Sequence, residues 1–227
     1  MSNLLKAFAC IAVLHLASKL LNFEWADNTS KVLLLPVLIL YFRSETQNSN
    51  SRLRTLFTAA LFFAWAGDTV LIFSDQAEIY FMVGLLFFLL TQLFYSMLFF
   101  SKITKATVTP FSLMMAGIPM IGYGVFLLVK LMPHLGNLLL PVVIYASAIT
   151  LMGIAAALLF KSIATTPYVL LMAGCISFIA SDSLLAVNRF IAPLPAGGFW
   201  VMLTYILAQG MITAAVVSML KPRARQL

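Results

Sequence analysis

The sequence predicts an all-α membrane protein with eight transmembrane helices gathered in one bundle. Three observations carry that prediction. The mean hydropathy is +1.04, and 63% of the 227 residues are hydrophobic against 9% charged, which leaves too little polar surface to coat a water-soluble globule. Apolar runs close to the ~20 residues needed to cross a bilayer recur along the whole chain. The charges that do occur gather between those runs.

Each helix has its own signals. The first, Asn3 to Leu21, follows the pattern of a secretory signal, but His15 and Lys19 stand where a cleavage region would be small and neutral, so it reads as a retained helix. The second, Ala26 to Phe42, must begin upstream of Lys31, because only eleven uncharged residues separate Lys31 from Arg43. The third, Thr55 to Phe73, starts after Arg52 and Arg54, and the fourth, Ile79 to Phe100, lies between Glu78 and Lys102. The fifth, Pro110 to Leu131, carries Pro119 between Gly117 and Gly122, a composition that loosens or kinks a helix. The sixth, Leu138 to Phe160, ends at Lys161. The seventh and eighth run from Pro167 to Asn188 and from Gly198 to Leu220. Connections are short, so residues 1–227 form one polytopic domain. Asp68 on the third helix and Asp182 on the seventh, each followed by a helix with a polar stripe, suggest parallel four-helix repeats over 1–109 and 110–227.

Loop charges set the orientation. With a cytoplasmic N-terminus, the inside segments hold Lys6, Arg43, Arg52, Arg54, Lys102, Lys105, Lys161, Lys221, Arg223 and Arg225, while the outer half keeps Lys19, Lys31, Lys130 and Arg189. The positive-inside rule then puts both termini in the cytoplasm, as in a bacterial inner-membrane protein. The net charge of +7 is scattered beside membrane spans, which points to lipid headgroups and excludes nucleic acid as the partner. Cys10 and Cys175 read as small buried side chains. Two histidines are too few for a zinc hydrolase, no Gly-x-Ser-x-Gly elbow occurs, and no cofactor is expected. The oligomeric state is left open.

Chemistry is expected at Asp68 and Asp182. No charged residue lies within five positions of either, and an intramembrane carboxylate costs at least ~2.5 kcal/mol, so such groups are kept for use. At about 1.5 Å per residue, Lys31, Asp68, Gln92, Tyr145, Asp182, Tyr205 and Gln209 all fall roughly 15 to 24 Å from the cytoplasmic helix ends. Six helices thus place polar groups in one layer, which describes a pocket. Lys31 at that depth requires an anion, either an aspartate or a substrate phosphate. Gly84, Phe88, Thr91, Gln92 and Tyr95 share one face of the fourth helix, Met202, Tyr205 and Gln209 one face of the eighth, and His15, Lys19 and Asn22 a shorter stripe on the first. Arg189 follows Asp182 by seven positions, two helical turns toward the outer mouth and on the same face, where it meets a headgroup or serves as an interfacial anchor.

These motifs resemble the YhhN family of membrane proteins, which includes the lysoplasmalogenases. The resemblance rests on Ser30-Lys31 with Pro36, Gly67-Asp68, the run Phe81 to Tyr95 around Gly84, Tyr145 with Met152, the segment Ile179 to Phe190 containing Asp182, Asn188 and Arg189, and Thr204-Tyr205 with Gln209. One departure is that the family usually has a histidine where Gln92 stands here, so only a hydrogen-bonding role carries over to that position. The resemblance implies hydrolysis of the vinyl ether bond of a lysoplasmalogen to a fatty aldehyde and a glycerophospho-base. Such a reaction needs one carboxyl protonated and one ionised, and apolar burial favours the first while a neighbouring ammonium favours the second. The resulting expectation is that Asp68 and Asp182 form the acid and base pair. Lys31 pairs the phosphate or an aspartate, and Gln92, Tyr95, Tyr145, Asn188, Arg189, Tyr205 and Gln209 bind the lysophospholipid. A lipid or small-molecule transporter with midplane charges is the alternative, and a protein whose aspartates only join helices is a third reading.

Overall fold

The computed structural model describes residues 2–49 and 51–221, so Arg223 and Arg225 lie outside the described residues. The described chain is helical from end to end, in the order α1 (Asn3–Leu21), α2 (Glu24–Glu45), α3 (Ser51–Leu71), α4 (Glu78–Lys102), α5 (Pro110–Leu135), α6 (Leu139–Ala157), α7 (Thr165–Ala186) and α8 (Gly197–Leu220). The boundaries follow local chemistry. Ser2 accepts from the Leu5 N–H at 3.3 Å to start α1, and Asn22 ends it in the left-handed conformation that asparagine tolerates. Thr109 and Ser112 close a capping box over Pro110 at the head of α5.

The expectation of eight spans needs correction. Three residues in a 3-10 turn, Gly136–Leu138, join α5 to α6 without interrupting the helical chain, which leaves seven continuous helical segments. Five of these among the described residues are long and apolar enough to cross a membrane: Asn3–Leu21, Glu78–Lys102, Pro110–Ala157, Thr165–Ile191 and Gly197–Leu220. The 48 residues of Pro110–Ala157 would measure roughly 70 Å if straight. Instead the segment folds back at Gly136, whose φ of 48° and ψ of −123° suit a residue without a Cβ, and α5 packs on α6. The α2 helix falls short on composition, since it contains Glu24, Asp27, Lys31, Arg43 and Glu45, and α3 carries Arg52, Arg54 and Asp68.

Helices adjacent in sequence pack as α1 on α2, α2 on α3, α3 on α4, α6 on α7 and α7 on α8, while α4 also meets α6 and α8 meets both α1 and α2. The outward surface carries exposed Val13, Leu21, Trp25, Phe111, Phe126 and Leu140, as a face turned to lipid does. Cys10 lies on that surface and so departs from the expectation of a buried thiol, whereas Cys175 is fully buried. The main core joins Leu34, Leu38 and Phe42 of α2 to Phe57 and Leu61 of α3, Leu98 and Phe99 of α4, Leu159 and Phe178, all fully buried. Two glycines bring α3 and α4 close: a Cβ on Gly67 would stand 2.9 Å from the Phe88 ring, and one on Gly84 2.5 Å from Leu71. That approach sets the position of Asp68, the next residue after Gly67.

Candidate functional site

The polar side chains in the middle of the bundle form two linked groups. On one side, the Asp182 Oδ2 of α7 accepts from the Tyr145 hydroxyl of α6 at 2.5 Å and from the Gln92 Nε2 of α4 at 3.1 Å. On the other, the Asp68 Oδ2 of α3 accepts from the Tyr205 hydroxyl of α8 at 2.6 Å. The two carboxyls lie near enough to feel one another's charge, and Asp68 likewise feels the Lys31 ammonium of α2. Beyond them, the Tyr95 hydroxyl donates to Gln209 Oε1 at 2.6 Å. The Gln92 Oε1 is buried with no protein partner, which leaves an acceptor in this polar layer.

The carboxyls differ in what they face. Asp182 and Tyr145 stand on the wall of an apolar chamber between α4, α5, α6 and α7, together with Phe88, Met120, Leu128, Ile149, Ile179 and Phe190. Asp68 is 3% exposed and does not line that chamber. The Phe88 ring on the wall touches Tyr205, centroids 5.9 Å apart, and Tyr205 in turn holds Asp68. A second apolar groove, between α4 and α6 and lined by Met82, Leu86, Leu140 and Ile144, also ends on Tyr145.

The structure therefore brings Gln92 and Tyr145 to Asp182, Tyr205 to Asp68 and Tyr95 to Gln209, with Lys31 within charge range of Asp68. It sets Asn188 and Arg189 apart. The Asn188 Oδ1 accepts from the Leu194 N–H at 2.8 Å and braces the turn into α8. The Arg189 Nη1 reaches Asp75 Oδ1 at 3.4 Å, and its guanidinium lies 5.2 Å from the Phe81 ring centre. The reason is local: α7 continues through a π turn at Val187–Ile191. The wider turn rotates Arg189 away from the face it would share with Asp182 in a regular helix.

Sequence reasoning missed several contributors. Tyr123 of α5 lines the chamber and donates to Ser183 Oγ at 2.8 Å, and Thr150 lines it too; neither stands in a polar stripe that would have marked it. Asp27, in the first turn of α2, was given no role from sequence. It pairs with Lys19 at 2.6 Å, and the buried His15 Nδ1 contacts its carbonyl at 3.2 Å and the Ser30 hydroxyl at 2.9 Å. The α1 stripe of His15 and Lys19 thus serves α2 and stays apart from the chamber.

No curated protein and no solved structure matches the chain. The model of one family matches across residues 27–216, a stretch that holds every side chain of the two carboxyl groups and their partners, and the chain belongs to that family, the YhhN family.

Proposed function

We propose that this membrane protein is a lysoplasmalogenase-type hydrolase that cleaves the vinyl ether bond of an alkenyl lysophospholipid. The observation that carries the reading is Asp182: a carboxyl held by Tyr145 and Gln92 on the wall of an apolar chamber, with a second carboxyl at Asp68 within electrostatic reach. Family membership supports a reaction of this type.

The chemistry follows from those parts. The Asp182 carboxyl gives its proton to the vinyl carbon remote from oxygen, and the electron pair of the C=C bond forms the new C–H bond. Positive charge then spreads over the other vinyl carbon and the ether oxygen, the kind of cation that glycosidases also meet with two carboxyls. Water adds to that carbon and returns a proton to the Asp182 carboxylate. The hemiacetal collapses as its hydroxyl proton is passed to the glycerol oxygen and the carbon–oxygen bond to glycerol breaks, and the products are a fatty aldehyde and a glycerophospho-base. Tyr145 orients the carboxyl, and the unpaired Gln92 Oε1 is an acceptor for the attacking water. Asp68, behind Phe88 and Tyr205 and held by the Tyr205 hydroxyl, supplies the second carboxyl. The apolar chamber excludes bulk water from the cation and receives the alkyl chain.

Loop cations support an inner-membrane location with both termini in the cytoplasm. The test is pure protein in detergent, given an alkenyl lysophospholipid and its saturated-ether analogue. Aldehyde from the first alone, with no gradient present, fits a hydrolase. No aldehyde from either removes the reading and returns the transporter alternative.

A further inference from the structure

We infer that the seam between α5 and α7 is the lateral opening of the chamber, through which the alkyl chain of a lysolipid passes between the bilayer and Asp182, and that the hydrogen bond from Tyr123 to Ser183 holds the seam shut. The inference rests on the lysolipid reading above and adds the route that reading leaves open. The α5 helix supplies one wall of the chamber with Met120, Tyr123, Gly124, Leu127, Leu128 and Leu131. Two prolines, Pro119 and Pro133, bracket that stretch inside the helix. Each lacks the N–H that would bond the carbonyl four residues earlier, so this wall is a helical segment with a weakened backbone at either end.

Its attachments are unequal. Along α6 the wall sits close: a Cβ on Gly124 would stand 2.8 Å from the Thr150 hydroxyl oxygen, and one on Gly153 would stand 2.9 Å from the Met120 sulfur. At the outer end Leu131 and Leu135 are buried with Val142, and Phe190 of the π turn packs on them. Among the described residues α5 has no comparable packing along α7. The polar link across that side is the Tyr123 hydroxyl, which donates to Ser183 Oγ at 2.8 Å. Its direction is fixed, because Ser183 donates its own proton to the Ile179 carbonyl at 2.7 Å. Tyr123 stands on the outward surface with Val125 and Phe126, where hydrocarbon offers no water to compete for the hydroxyl. One interhelical hydrogen bond in a bilayer shifts an equilibrium only a few-fold, so it closes the seam and still releases it. Ser183 adjoins Asp182 and both line the chamber, so the seam opens beside the carboxyl. The α4–α6 groove also reaches the chamber, at Leu85 and Tyr145. Passage there would displace Tyr145 from Asp182 and undo the support of the carboxyl itself.

The experiment follows a saturated-ether lysophospholipid with a fluorescent chain end as it enters and leaves the full-length protein in phosphatidylcholine vesicles. Tyr123→Phe and Ser183→Ala are each expected to raise the association and dissociation rates together by about threefold and to leave Kd within about twofold. The double variant matches either single one, because both remove the same bond. In a Cys10→Ser background, which removes the exposed thiol and leaves the buried Cys175, Tyr123→Cys with Ser183→Cys is bridged by a short bis-methanethiosulfonate linker. Both rates then fall about tenfold or more, and a reducing agent restores them. Unchanged rates in both single variants, a change in dissociation alone, or a bridged protein that exchanges lipid at the parent rate overturns the assignment. The analogue is not hydrolysed, which separates the two claims. Gated exchange without aldehyde release from the alkenyl lipid sinks the hydrolase reading and keeps the opening, while aldehyde release with exchange indifferent to these changes does the reverse.

Discussion

The two ends of the bundle are built differently. Toward the end where Lys221 pairs with Glu45, the interior is dry and closed: Phe42 meets Phe57 at 4.5 Å, Phe57 stacks on Tyr95 at 5.5 Å, and Tyr95 on Phe99 at 6.0 Å, with Leu38, Leu61, Leu98 and Leu159 filling the gaps at zero exposure. Toward the Asp75 end α4 to α7 part around the apolar chamber, the α4–α6 groove and the polar groove at Arg189. The carboxyl layer lies at the boundary between the two. A packed half fixes helix positions to within a side chain's tolerance, and only then can the other half stay hollow and still hold Asp182, Tyr145 and Gln92 in register. Stability is concentrated at one end and ligand space at the other.

Substitutions can break or sharpen that contrast. The largest effect is expected at Asp182→Asn, which lowers aldehyde release about a hundredfold or more while the thermal midpoint barely moves; a turnover within a few-fold of the parent ends Asp182's role. Next, Leu98→Ala in the packed half costs about 2 to 5 kcal/mol of stability. Leu128→Ala on the chamber wall costs much less, because its neighbours already face open space. Denaturant unfolding of the two variants measures the difference, and equal losses would dissolve the distinction between the halves. Tyr145→Phe removes one hydrogen bond from Asp182 and slows turnover about tenfold. The smallest change belongs to Tyr95→Phe, on the dry side, which loses about 1 kcal/mol of stability with the Gln209 bond and leaves turnover within a few-fold.

Much of this was legible in the sequence, for a physical reason. Charges inside apolar runs are expensive, so Asp68, Asp182 and Lys31 stood out at once, and helical spacing grouped Gln92 with Tyr95 and Tyr205 with Gln209. Which donor meets which acceptor was not legible. The contact of Tyr145 and Gln92 with Asp182 depends on α4 packing against α6, across more than forty residues of chain. Arg189 was misplaced because the seven-residue count assumes a regular helix, and the π turn at Val187–Ile191 changes the register. The unequal setting of the two aspartates was equally hidden. Depth counting puts both at one level, and only the Phe88 and Tyr205 rings decide that Asp182 faces the chamber and Asp68 does not. The span count failed at Gly136, where a tight turn keeps α5 and α6 in one helical segment.

The central claim is proton transfer from Asp182 to carbon, followed by water attack at the vinyl ether. It is tested most directly by turnover of an alkenyl lysophospholipid in heavy water enriched in oxygen-18, with the aldehyde trapped as it forms. The account predicts one deuterium on the carbon next to the aldehyde group and no oxygen-18 in the glycerol product. An aldehyde without that deuterium, or label on the glycerol oxygen, contradicts it.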